Sequence, residues 1–239
     1  MSVPCPYGLC DGSGFLMDEA TNTASDCRCR PSRIASVRAR RLEARIPRRY
    51  REVSFEQLTG TDLVAFPEQI AVVSRYVGRI EQNLHAGRGL WIMGDIGTGK
   101  TMLAMLVSKA ALDAGRSTAI YSLPRLLNLL RESIDSEGGL VGFIDELTAV
   151  DLLHLDDVGA ENRTDWVLEQ LYSIINTRYE EERSILITTN LEPGLLAQQI
   201  GQRTVSRLVE MCGDPLPLFG EDRRRELPTP PPAHSQAAA

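Results

Sequence analysis

Eight consecutive residues, Gly94-Asp95-Ile96-Gly97-Thr98-Gly99-Lys100-Thr101, constrain this 239-residue chain more than any other feature. A glycine, four residues and then Gly-Lys-Thr let the backbone curl until successive N–H groups point into one hollow. A helix opened by the last two residues adds its positive N-terminal end. That arrangement suits phosphate. Lys100 would bring a point charge to the β and γ phosphates of ATP, and Thr101 would offer its hydroxyl to Mg2+. Such a loop works only between a strand and a helix. The apolar run Leu90-Trp91-Ile92-Met93 precedes it and an amphipathic stretch, residues 101–114, follows.

An ATP site of this kind needs a second, acidic strand tip, and the chain carries one about 56 residues downstream. In Asp151-Leu152-Leu153-His154-Leu155-Asp156-Asp157 an apolar strand ends in two carboxylates. Asp156 would hold Mg2+ and Asp157 would orient the attacking water. His154, inside the apolar run, reads as a neutral packing histidine. A further apolar strand, residues 184–189, ends in Thr-Thr and Asn190, which could hydrogen-bond the same water or the γ-phosphate.

From residue 89 onward short apolar runs alternate with amphipathic helices, the pattern of a mostly parallel sheet covered on both faces. The strands predicted are residues 89–93, 117–122, 151–155, 184–189 and, weakly, 216–219. The helices are 101–114, 124–136, 143–148, 164–182 and 203–211, two of them falling between the second and third strands where one would suffice. Before the loop, residues 66–85 carry apolar positions at helical spacing and are expected to form one helix. Cys212, after an apolar helical stretch, reads as a small buried hydrophobe.

The N-terminus is of another kind. Four of the five cysteines fall in the first 29 residues, as Cys5-x4-Cys10 and Cys27-x-Cys29. Rich in Gly, Asp, Ser and Thr, the segment cannot build a core, and short coreless segments generally need a staple. In a cytosolic chain thiolate ligation is favoured over disulfides, and four thiolates suit tetrahedral Zn2+, so Cys5, Cys10, Cys27 and Cys29 are expected to hold one. The chain should then divide into a zinc-binding module (1–31), a basic helix and linker (32–52), an ATPase domain (53–227) and a disordered Pro/Ala tail (228–239).

The net charge of −6 hides an asymmetry: ten arginines stand between residues 28 and 51, against Glu43 alone. That segment could bind nucleic acid or an acidic partner, or be a solvated helix. Tyr50 is its only aromatic residue, which argues against base stacking there. No run approaches the roughly 18–20 apolar residues of a membrane span, and no secretory signal is visible, so a cytoplasmic location without membrane association is expected.

With these residues in view the chain resembles the DnaC and DnaI type of helicase loader and the related IstB transposition ATPases. The resemblance spans roughly residues 47–226 and rests on Gly89-Leu90 leading into the loop, on Asp151 to Glu161, on Thr-Thr-Asn190 and on Arg203-Thr-Val-Ser-Arg207-Leu. It implies an AAA+ fold and an ATP site completed by self-association with a neighbouring subunit. Arg207 matches the finger arginine that reaches a neighbour's γ-phosphate. Arg224, with Arg223 as alternative, matches a second arginine that contacts the nucleotide. The resemblance further implies that the extra helix, 124–136, helps contact single-stranded DNA, and that the zinc module docks on a replicative helicase. Where many members have Asp-Glu this chain has Asp156-Asp157, which suits slow hydrolysis and leaves Glu161 as a second candidate base.

The expected function is therefore that of an ATP-dependent loader binding a replicative ring helicase and single-stranded DNA. The alternative within the fold is a transposition regulator acting with a transposase on duplex DNA. A kinase would need an acceptor pocket and an arginine-bearing lid, and neither is recognisable. A zinc adaptor with structural ATP is the remaining rival.

Overall fold

The computed structural model describes residues 5–18, 23–30, 46–55, 66–134 and 139–220. The basic helix expected over 33–45, the tail at 228–239 and both Arg223 and Arg224 lie outside them.

Seven strands are described: β1 (Phe15–Asp18), β2 (Thr23–Asp26), β3 (Leu90–Gly94), β4 (Thr118–Ser122), β5 (Leu152–Asp156), β6 (Ser184–Thr189) and β7 (Leu216–Leu218). The helices are α1 (Pro67–Val77), α2 (Ile80–His85), α3 (Lys100–Asp113), α4 (Leu123–Ser133), α5 (Gly139–Ala149), α6 (Asp165–Glu180), α7 (Pro193–Ile200) and α8 (Gln202–Cys212). A single 3-10 turn, Arg48–Tyr50, precedes α1.

Strands β3 to β7 form one parallel sheet in the order β4-β5-β6-β3-β7. Side-chain alternation divides each strand between two cores. Trp91, Leu153, Leu155, Ile185 and Ile187 face the side covered by α4 to α8. Leu90, Ile92, Leu152 and Leu186 face the side covered by α1, α2 and α3. Both faces are buried, which is why β6 reads as a run with no exposed position. His154 and Asp156 share the face of Leu152, and Thr188 shares that of Leu186, so all three point toward α3.

The two helices expected between the second and third strands are present as α4 and α5, α5 beginning four residues earlier than the sequence suggested. The single helix expected over 66–85 is instead broken. The carbonyl of Tyr76 accepts from the Arg79 N–H (3.2 Å) and from Asn83 Nδ2 (3.0 Å), bonds that replace the regular ladder, and Arg79 leaves helical geometry at φ −124°. Helix α7 was not expected at all. Its Pro193-Gly194 start reads as a turn, yet proline is at home at the first helical position, and Leu196 and Ile200 are buried. Nor did the sequence announce the antiparallel hairpin of β1 and β2, which is mostly exposed and lies between the two cysteine pairs. Cys212 is only partly buried, packing at the end of α8 against the larger core.

Candidate functional site

The loop after β3 is shaped by its glycines. Gly94 pairs with Leu218 of β7, and a Cβ there would lie 1.9 Å from the Leu218 carbonyl oxygen, so no other residue lets β7 approach. Gly99 holds φ 98°, a left-handed conformation that turns the chain into α3. Lys100 is 5% exposed and its Nζ donates to the Asp95 carbonyl at 2.6 Å, while Thr98 Oγ1 donates to the same oxygen at 2.8 Å. The Asp95 carboxylate accepts from the Gly220 N–H at 2.9 Å. Asp95 thus braces the loop against the segment after β7. Ile96 stands exposed at the loop's crest.

The acidic strand tip meets this loop at Thr101. Thr101 Oγ1 lies 3.0 and 3.2 Å from the two carboxylate oxygens of Asp156, so a hydroxyl and a carboxylate face each other at the start of α3. The sequence did not flag Thr188 of β6. Buried, it donates to Asp156 Oδ1 at 2.6 Å and accepts from the Asp157 N–H at 3.0 Å, tying both acidic residues to the neighbouring strand. Its place in the polar Thr-Thr-Asn190 strand end was the signal available, without a role of its own attached to it. Asp157 is exposed and held at φ 57°, a conformation Asp tolerates at modest cost. Asn190 follows β6 directly and is exposed, and because β6 lies between β3 and β5 its tip falls between the loop and the acidic strand end.

Glu161 is placed differently. One of its oxygens accepts from the Gly159 N–H at 2.9 Å, its backbone carbonyl accepts from Gln199, and burial pushes its carboxyl above the usual range. It is therefore bound into the loop that packs toward α7. His154 is fully buried, and burial pushes its imidazole down to about 3, keeping it neutral. The neutral packing histidine read from the sequence is what the fold contains, with a specific partner, Ser108 Oγ, 2.9 Å from Nδ1.

Arg207 lies on α8 with its guanidinium 4.1 Å from the ring centre of Tyr179 and 3.4 Å from Glu210, whose other oxygen accepts from the Tyr179 hydroxyl at 2.7 Å. It is one third exposed.

Arg178, also unremarked in the sequence, is the largest buried charge. Its guanidinium donates to the carbonyls of Leu147 (2.9 Å), Thr148 (3.2 Å), Val150 (3.0 Å), Asp151 (3.4 Å) and Ser184. Two of these belong to the last turn of α5, whose carbonyls lack helical partners. Arg178 so pins the entry to β5 and β6, and with it the level at which their tips end.

The four cysteine sulfurs Cys5, Cys10, Cys27 and Cys29 lie within 4.8 Å of one another. Cys5 to Cys27 is 3.8 Å and Cys10 to Cys29 is 3.5 Å. Tetrahedral Zn2+ with Zn–S bonds of about 2.3 Å sets sulfurs about 3.8 Å apart. The separations are far too long for disulfides, for which S–S is about 2.05 Å. The residues fit a structural zinc ion. The nucleotide loop fits a triphosphate with Mg2+ on comparable grounds, a glycine cradle facing a hydroxyl–carboxylate pair.

A parallel sheet with the phosphate loop after β3, two helices before the acidic strand and a polar strand tip between loop and acid defines an AAA+ P-loop protein. Within that class the chain belongs to the IstB-like ATP binding protein family, whose profile matches residues 74–209. The crystal structure of the DnaC helicase loader superposes with a TM-score of 0.64 at 28% identity, over 72% of this chain and 99% of that one. The replicative helicase loader DnaI of Bacillus subtilis strain 168 is 26% identical over 150 residues, 58% of this chain and 48% of DnaI. YdaV of Escherichia coli strain K12 is 30% identical over 115 residues, 48% of this chain and 46% of YdaV. The chain spans about half the length of these two curated relatives. Among the described residues no helix is long and apolar enough to cross a membrane.

Proposed function

We propose that the chain is an ATP-dependent helicase loader, binding a replicative ring helicase and single-stranded DNA, with ATP binding and hydrolysis as its switch. The observation that carries this reading is the likeness to the DnaC loader along nearly the whole of that structure. Residues 94–101 cradle the phosphates, with Lys100 leaving the Asp95 carbonyl to reach the β and γ oxygens. Thr101 and Asp156 hold Mg2+, which neutralises charge developing on the phosphates. Asp157, exposed at the strand tip, orients the attacking water, and Asn190 contacts that water or the γ-phosphate. Glu161, turned back onto Gly159, is less suited to the role of base. Arg207 serves the ATP site of a neighbouring subunit, and Arg224, with Arg223 as the alternative, contacts the nucleotide. The cysteine module, 1–31, holds Zn2+ and docks on the helicase, joined by a basic linker, 32–52, to the ATPase domain, 53–227.

Size-exclusion chromatography of the full chain with ATP and the ring helicase of the same host tests the reading. A stable complex is expected, together with single-stranded DNA binding that weakens with salt, each phosphate contact adding about 0.7 to the log-log slope. Capture of a transposase in place of the helicase, or equal affinity for duplex and single strands, would overturn it in favour of a transposition regulator.

A further inference from the structure

Helix α3 and strand β5 face each other in two rungs. Thr101 and Ser108, seven residues apart and so on one side of α3, stand opposite Asp156 and His154, two residues apart and so on one face of β5. The first rung is the hydroxyl–carboxylate pair already described. The second is Ser108 Oγ to His154 Nδ1 at 2.9 Å, both residues fully buried. The other ring nitrogen, Nε2, is buried with no hydrogen-bond partner and lies 3.9 Å from Asp156 Oδ1.

From this geometry we infer that His154 is a positioning residue for the Mg2+ carboxylate, with Ser108 selecting its tautomer. A neutral imidazole carries one N–H. With the proton on Nδ1, the lone pair of Nε2 would face a carboxylate oxygen in a dry interior, an unfavourable contact. With Ser108 donating to Nδ1, the proton resides on Nε2 and the ring presents its positive edge to Asp156 Oδ1. That oxygen already accepts from Thr188 at 2.6 Å, so the hydrogen bond from β6 and the electrostatic pull of the ring edge from β5, 3.9 Å away, together restrain the carboxylate whose two oxygens lie 3.0 and 3.2 Å from Thr101 Oγ1. A leucine in place of His154 would fill similar space but would supply no donor to Asp156 and would leave the buried Ser108 hydroxyl without its ring partner.

The inference rests on the nucleotide-site reading above, and two measurements on the full chain separate its failure from that of the reading. First, long-range proton–nitrogen correlation spectra of nitrogen-15 histidine protein, in which only His85, His154 and His234 contribute, report the tautomer without nucleotide. The Nε2–H form is expected for His154, and the Nδ1–H form would overturn the inference whatever the protein binds. Second, the Mg2+ concentration for half-maximal binding of a fluorescent ATP analogue is compared among wild type, His154→Leu and His154→Gln. Outer-shell partners of metal ligands are worth roughly 10–100-fold in metal affinity, so His154→Leu should need at least about 10-fold more Mg2+. His154→Gln, which keeps a donor near the Nε2 position, should recover most of that loss. Binding of the analogue in chelator should be the same in all three. An unchanged Mg2+ requirement in His154→Leu, or an equal loss of binding in chelator, would reduce His154 to a packing residue. Failure of the wild type to bind the analogue at all would sink the nucleotide-site reading itself and leave the tautomer to decide the Ser108–His154 pair.

Discussion

Replacing Thr188 by valine removes one hydroxyl and almost no volume, yet that hydroxyl is the common partner of both acidic residues at the candidate site. It donates to Asp156 at 2.6 Å and accepts from the Asp157 N–H at 3.0 Å. A hydrogen bond to a charged group contributes about 1.5–3 kcal/mol and a neutral one about 0.5–1.5 kcal/mol. Because the two share one oxygen they are not additive, and Thr188→Val should lose about 3 kcal/mol. A domain of this kind has roughly 5–15 kcal/mol in all, so the variant should still fold. With a urea slope of about 1–3 kcal/mol/M the unfolding midpoint should fall by at least about 1 M. The Mg2+ requirement of nucleotide binding should rise by about 10-fold, since Asp156 loses a partner that fixes it. Thr188→Ser keeps the hydroxyl and should recover most of both effects. Stability within about 0.5 kcal/mol of wild type, the ordinary range for a surface substitution, together with an unchanged Mg2+ requirement would refute the claim that β6 holds the acidic tip in place.

Arg178→Met leaves up to five carbonyls without their donor, and chemical denaturation should register a loss of about 3–5 kcal/mol, since a hydrogen bond to a charged group is worth about 1.5–3 kcal/mol and several are lost together; a loss below about 1 kcal/mol would mean the carbonyls find other partners. Purified without chelator, the protein should contain one zinc per chain by metal analysis, and Cys27→Ser should lose it; a value near zero in the wild type would leave the cysteines as reduced thiols. Lys100→Ala should lose ATP binding in a fluorescence titration while still folding, since the bond its Nζ donates to the Asp95 carbonyl is worth about 1.5–3 kcal/mol. Arg207→Ala should bind ATP nearly normally yet hydrolyse it more slowly, by as much as roughly 10^3-fold, and mixing it with Lys100→Ala should restore part of the activity; co-assembled mixtures that stay inactive would remove Arg207 from the shared site.

The sequence by itself determined whatever depends on contiguous residues. The loop from Gly94 to Thr101 is recognisable because its glycines act on their own backbone, and Leu152 to Asp157 because an apolar run ending in acids has few other uses. The cysteine spacing was legible for the same reason, although the hairpin between the pairs was not, its residues being mostly exposed and free of any strong pattern. Tertiary structure alone decided the order of the strands, and so which side chains meet. Only the placement of β6 between β3 and β5 brings Thr188 to Asp156, 32 residues away. Only the packing of α3 on β5 sets Ser108 against His154, 46 residues away. Arg178 gathers carbonyls from two chain segments that no local periodicity joins. Local propensity acts over a few residues, whereas these partners are chosen by burial: each polar group that the packed sheet removes from water must find its donor or acceptor wherever the fold has brought one.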